Sequence, residues 1–212
     1  MFREPDHACG LCPRLKAFRD ANAEAHPDWF NGPVNAFGDL AAPLLIVGLA
    51  PGLKGANLTG RPFTGDYAGD LLYATLLEHG FAKGTYAKHR GDGLELINCR
   101  ITNAVRCVPP ENKPVGKETA TCNGFLQAEI AAMPNLKAIL SLGTLSHGAV
   151  LTALGLKKSA YKFGHESCHQ TEPGIALFNS YHCSRYNTNT GRLTEQMFFQ
   201  VFVKIQAYLT AI

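Results

Sequence analysis

Apolar residues in this 212-residue chain fall into short continuous runs that alternate with longer stretches of helical spacing. "LLIVGL" (Leu44–Leu49) is one such run, the pattern of a strand buried on both faces. After a polar loop, "GDLLYATLLEHG" carries apolar residues at helical spacing and stops at Gly80. The pairing recurs in "LINCRITNAV" with "KETATCNGFLQAEIAAM", in "KAILSLG" with "TLSHGAVLTALG", and in "GIALFNSY" with "LTEQMFFQVFVKIQAYL". Four strand-then-helix units predict an α/β chain whose parallel sheet has helices on both faces. "CGLCPRLKAFRDANAEA" predicts an extra helix outside that alternation, and "AKGTYAKHRGDG" (Ala82–Gly93) predicts a surface loop. With no repeat, low-complexity tract or linker, residues 1–212 read as one domain.

In a parallel sheet, ligands sit beyond the carboxyl ends of the strands. Four segments lie there: Ala50–Asp66, Asn103–Lys117, Gly143–His147 and His182–Thr194. They hold most of the unusual residues in the chain, which makes them a candidate site.

Composition narrows the class. Hydrophobic content of 46% and charged content of 17% are those of an ordinary globular chain. No apolar run reaches the roughly 18 residues that a membrane span needs. The start, "MFREPDHACG", lacks the apolar centre of a secretion signal, so a cytoplasmic location is expected. A formal net charge of +3 permits contact with nucleic acid without demanding it.

Seven cysteines cannot all pair, and in a reducing compartment spaced cysteines serve more often as ligands than as bridges. Cys9 and Cys12 form C-x2-C, while Cys107 and Cys122 stand far downstream. Four thiolates from two distant pairs suit a [4Fe–4S] cluster or a structural Zn²⁺, and buried free thiols are the other reading. Spacing does not separate iron–sulfur from zinc. Cys99 falls in a strand run and reads as core.

The loops carry the remaining chemistry. "GLAPGLKGANLTGRPFTGD" (Gly48–Asp66) is Gly-rich after the first strand, yet matches neither G-x-G-x-x-G nor a Walker A pattern. Its Phe63 reads first as core and second as a stacking platform for a planar ligand. Asn103 ends the second strand, and one amide has the donor and acceptors to read a pyrimidine edge or to cap a turn. His182 ends the fourth strand, where an imidazole can donate to a developing oxyanion. Ser184, Arg185, Asn187, Thr188, Asn189, Thr190 and Arg192 supply phosphate-compatible donors, with Thr194 placed as a helix N-cap.

Taken together, "GLAPGLKGANLTGRPFTGD", "ITNAVRC", "HCSRYNTNTGRLT" and the four cysteines resemble the uracil-DNA glycosylase superfamily, most closely its family 5. The resemblance spans nearly the whole chain, with the motifs in the expected order. It implies a three-layer α/β/α sandwich with a central four-stranded parallel sheet and a [4Fe–4S] cluster on Cys9, Cys12, Cys107 and Cys122. That cluster would tie down residues 1–30, with structural zinc as the alternative. Asn103 would pair with the uracil edge, Phe63 would stack on the flipped base beside Gly48 and Ala50, and His182 would stabilise the departing uracil O2. Ser184, Arg185, Tyr186, Asn187, Thr190 and Arg192 would contact DNA, with the loop entering the minor groove.

The implied protein is a monomeric DNA-repair hydrolase that acts on uracil in double- or single-stranded DNA, with hypoxanthine and other damaged bases as further substrates. Family 4 members read "GEAPG" where this chain has Leu49, which points to family 5. The neighbouring alternatives are a uracil-only family 4 type and a non-catalytic or crosslinking DNA binder. Two departures stand out. Cys183 occupies a position commonly held by proline, and Asn57 stands where relatives often carry an acidic residue to handle the attacking water. Asn57 is therefore expected to orient water without acting as a normal base.

Overall fold

The computed structural model describes residues 2–172 and 174–211. Its five-stranded sheet is built from β1 (Leu44–Gly48), β4 (Cys99–Asn103), β5 (Ala138–Leu142), β6 (Cys168–Gln170) and β7 (Ala176–Ser180), in the order β4-β1-β5-β7-β6. The first four in that order are parallel, and they are the four strands expected from the apolar runs. All their residues are buried, as in a sheet covered on both faces.

Strand alternation divides the core in two. Leu44, Ile46, Leu140 and Phe178 face α3 (Tyr67–Glu78) and α7 (Glu195–Thr210), packing on Leu72, Leu76, Phe198 and Phe202. Leu45, Val47, Ile139 and Leu177 face α4 (Gly116–Ala132) and α5 (Thr144–Ala153), packing on Leu126, Val150 and Leu151. The result is the expected three-layer α/β/α sandwich. Cys99 lies within the first core cluster, as read from its strand.

Two elements depart from the sequence reading. The sheet has a fifth strand, β6, antiparallel to β7 and at the sheet edge. Its three residues are exposed or half-buried and show no apolar alternation, so the pattern carried no signal. Ala82–Gly93 is more than a surface loop: β2 (Ala82–Lys83) pairs antiparallel with β3 (Glu95–Leu96), and the connection between them folds around Asp92. That carboxylate accepts from the backbone N–H groups of Ala87 and Leu94 and forms a bidentate pair with Arg61 at 2.7 Å.

Caps set the helix ends near the site. Asp66 caps α3 by accepting from Gly69 N at 3.0 Å, and Thr194 caps α7 by accepting from Met197 N at 3.1 Å, as expected for Thr194. A short helix, α6 (Arg185–Asn189), starts at Ser184 inside the segment that the sequence marked as a polar loop. The extra N-terminal helix is α1 (Pro13–Ala25), with proline in its first turn. Among the described residues, no helix is long and apolar enough to cross a membrane.

Candidate active site

The parallel register sets Gly48 directly beside Asn103 at the carboxyl ends of β1 and β4. A Cβ at position 48 would lie 2.4 Å from Asn103 Oδ1 and 2.5 Å from the Phe63 ring. Only glycine lets the amide and the aromatic ring approach each other there. Asn103 is 2% exposed, caps nothing, and its Oδ1 has no hydrogen-bond partner. A buried amide oxygen left open inside a cavity is costly unless a ligand satisfies it.

Phe63 is 7% exposed and belongs both to the core, as first read from the sequence, and to the cavity wall. Its backbone is left-handed, with φ of 53°. For a bulky residue this conformation needs outside support. The Tyr73 hydroxyl supplies some of it, donating to Pro62 O at 2.6 Å. Arg61 supplies more, donating from Nε to Thr64 Oγ1 at 2.7 Å while its other nitrogens grip Asp92. Arg61 also lies against the rings of Phe37, Tyr73 and Tyr86.

His182 faces Phe63 across the cavity, with ring centroids 6.0 Å apart and planes 25° from parallel. Burial pushes its imidazole down to about 4, so it is neutral near pH 7 and presents one N–H. Asn187 Nδ2 donates to the His182 carbonyl at 2.8 Å, which makes that asparagine a brace for the histidine. Next in the chain, Cys183 is fully buried and its thiol donates to Ala68 O at 3.5 Å. The residue at the usual proline position thus pins the histidine segment to the start of α3.

Ala50, Phe63, Asn103, His182, Ser184 and Arg185 line one cavity. Tyr186, next in the chain to Arg185, is 74% exposed. Thr190 Oγ1 donates to Tyr186 O at 2.8 Å, and the Arg192 guanidinium lies 4.5 Å from the centre of the Tyr181 ring. Both are exposed, although Arg192 is already stacked. Asn57 is elsewhere: it is fully buried, its Nδ2 donates to Asn31 Oδ1 at 2.9 Å, and it is not part of the cavity wall. The wall contains four charged groups that the sequence reading passed over, Lys54, Asp66, Asp70 and Lys88. Asp66 could have been noticed, since it closes the Gly-rich stretch.

Cys9, Cys12, Cys107 and Cys122 line a second, smaller cavity between the start of α1, the segment after β4 and α4. Burial pushes the Cys107 thiol up to about 12 and raises Cys12 and Cys122, and the neighbouring sulfurs raise these three further. The Arg106 N–H donates to Cys122 Sγ at 3.3 Å. Four sulfur donors around one cavity fit the donor set of an iron–sulfur cluster. Among the described residues, no group of three or more His, Cys, Asp or Glu side chains is drawn together around a single ion. Beside this cavity, Glu4 and Glu129 each bridge Arg100 and Arg106 at 2.5–3.1 Å, and Arg14 pairs with Glu118 at 2.7 Å. The N-terminal segment is therefore held by ion pairs.

Comparison with known proteins places this architecture. A family model described as "Uracil DNA glycosylase superfamily" matches residues 36–206, which include every strand-end segment. A "Type-5 uracil-DNA glycosylase" of Thermus thermophilus is 42% identical over 203 residues, covering 93% of this chain and 92% of that protein. One of the same name from Pyrobaculum aerophilum is 37% identical, covering 94% and 88%. A "Type-4 uracil-DNA glycosylase" of Sulfurisphaera tokodaii is more distant, at 30% identity over 76% and 69%. With the glycine-relieved floor, open amide and neutral histidine all inside the matched region, the chain belongs to the uracil-DNA glycosylase superfamily.

Proposed function

We propose that this protein flips uracil out of DNA and hydrolyses its N-glycosidic bond, leaving an abasic site. The observation that carries this is the Asn103 amide, buried at the cavity floor with Oδ1 unpartnered and the Phe63 ring beside it. Uracil presents N3–H and O4 side by side, which an amide oxygen and NH₂ complement. Phe63 supplies a face for the flipped ring, and neutral His182 donates to O2 as the base departs with the bonding electrons. That histidine cannot protonate the base outright near pH 7, so its contribution is stabilisation of the anion.

Hypoxanthine presents the same N–H and carbonyl pair, which supports a base range wider than uracil. Ser184 and Arg185 at the cavity mouth suit flanking phosphates, and exposed Tyr186 suits the gap left in the base stack. Asn187 acts through its brace on His182, and Thr190 and Arg192 extend the same surface. We read the protein as a single-domain monomer of the cytoplasm.

Cys9, Cys12, Cys107 and Cys122 would hold a [4Fe–4S] cluster, which when bound supplies a covalent tie between the N-terminal segment and the segment after β4. Roughly four iron and four sulfide per chain would support it; one zinc without sulfide would sink it. The activity is tested by single-turnover cleavage of a uracil-containing duplex, scored as alkali-labile abasic sites. Wild type converts the duplex, whereas His182→Ala slows conversion by about 10²–10³-fold, the usual cost of removing one oxyanion donor. Duplex binding without abasic product would refute catalysis and leave a binding module.

A further inference from the structure

Phe63 presents its ring to the cavity from a left-handed backbone that a bulky side chain disfavours, so its surroundings must over-determine that turn. Three successive carbonyls are held. Pro62 O accepts from the Tyr73 hydroxyl at 2.6 Å, Phe63 O from the Tyr86 hydroxyl at 3.4 Å, and Thr64 O from Thr59 Oγ1 at 3.0 Å. Glycine at 69 lets the first turn of α3 close on the Phe63 carbonyl, because any Cβ there would collide with it.

One guanidinium joins these supports. Arg61 is 5% exposed and lies outside the cavity wall. Its Nε donates to Thr64 Oγ1 at 2.7 Å, and that hydroxyl in turn donates to Pro62 O at 3.2 Å. Its ring contacts include Tyr73 and Tyr86, the two residues whose hydroxyls hold the turn. Its two terminal nitrogens grip Asp92, whose side chain is fully buried and whose carboxyl the guanidinium holds well below the usual carboxylate range. Asp92 also accepts from Ala87 N and Leu94 N, which fixes the β2–β3 connection that carries Tyr86. A buried ion pair adds little net stability over apolar packing of the same volume, whereas a bidentate fork specifies one geometry.

We propose that Arg61 and Asp92 are positioning residues for base excision and act through Phe63: the pair fixes the turn so that the ring sits where it stacks on the flipped base. The role rests on the glycosylase reading above. Neither residue belongs to the cavity wall, so the pair governs how well the base is placed for bond breaking and not how tightly the duplex is held.

The experiment is a double-mutant cycle in single-turnover excision of uracil from a duplex by the full chain. Arg61→Lys and Asp92→Asn are each made alone and together with Phe63→Ala. Both are mild: the lysine keeps a cation beside Asp92 without the fork, and the asparagine keeps the shape of the carboxylate without its charge. Duplex concentration is varied to separate the maximal rate from half-saturation, at temperatures well below each variant's melting point. Either substitution alone should lower the maximal rate about 100-fold, the cost of a displaced positioning group, with half-saturation unchanged. In the Phe63→Ala background neither should slow the reaction further, since the ring through which the pair acts is gone. A purely structural pair would lower the melting temperature and slow both backgrounds equally. Equal slowing in both backgrounds, or a wild-type maximal rate for either single variant, overturns the proposal while leaving the glycosylase reading intact. A wild-type protein that releases no uracil overturns that reading and this role with it.

Discussion

The cavity at the strand ends and the four-cysteine corner both draw on the segment after β4, yet they treat their polar groups in opposite ways. At the strand ends the amide of Asn103 is left open, the His182 backbone is braced by the Asn187 side chain, and glycine at 48 keeps the space clear. At the corner, Glu4 and Glu129 are each shared by two arginines and Glu118 is paired with Arg14, so the acidic side chains are consumed by the protein itself. An exchangeable ligand needs complementary groups kept unpaired until it arrives. A permanent structural joint needs its charges compensated at all times, because burying an unpaired one is expensive. An open amide oxygen in a cavity wall, rather than charge already paired within the protein, therefore marks the first region as the place of turnover.

Breaking that contrast should give the largest effect at the corner. Glu129→Ala leaves the buried guanidinium groups of Arg100 and Arg106 with Glu4 as their one carboxylate partner among the described residues, and should cost about 3–5 kcal/mol in denaturant unfolding. A loss under about 1 kcal/mol would mean the network contributes little to the joint. At the other pole, Gly48→Ala should act on chemistry more than on stability. Its methyl would displace Asn103 or Phe63, and an error of that size costs on the order of 100-fold in rate. Wild-type excision by Gly48→Ala would remove the argument for a glycine-relieved floor.

The smallest effect sharpens the histidine assignment through pH. Folding lowers the His182 pKa to about 4, against about 6.5 unfolded, so the unfolded chain takes up the proton first. That group's penalty is absent above pH 6.5 and grows as pH falls toward 4, reaching about 2 kcal/mol near pH 4.5. Thermal melts at pH 7 and 4.5 should therefore diverge more for wild type than for His182→Asn. Equal drops in the two proteins would show that the ring is not held neutral by burial.

The four parallel strands and their helices were legible because each is a local pattern of adequate length. The β6 strand was not, since three exposed or half-buried residues without apolar alternation at a sheet edge look like any loop. The β2–β3 connection was hidden for a related reason: Asp92 reads as a turn residue until Arg61, 31 positions earlier, is found against it. In the candidate site, Asn103 and His182 were marked by their positions at strand ends and Phe63 by its place in the Gly-rich loop, and the structure brings all three to one wall. Asn57 was marked by motif position alone and points to Asn31 instead. Asp66 went unremarked because a carboxylate at a helix start already has a sufficient local explanation as a cap.

The amino-acid sequence by itself determined the alternation of strands and helices, the chemical inventory of the strand-end segments, and the motifs that link the chain to its superfamily. These depend on periodicity and residue type, which are properties of neighbours along the chain. Tertiary structure alone decided that Cys183 anchors to Ala68, that Asp66 rather than Asn57 reaches the cavity, and that two distant cysteine pairs share one space. Each of those outcomes depends on loops whose conformations are set by contacts many residues away, and local pattern does not encode the direction in which such a side chain points.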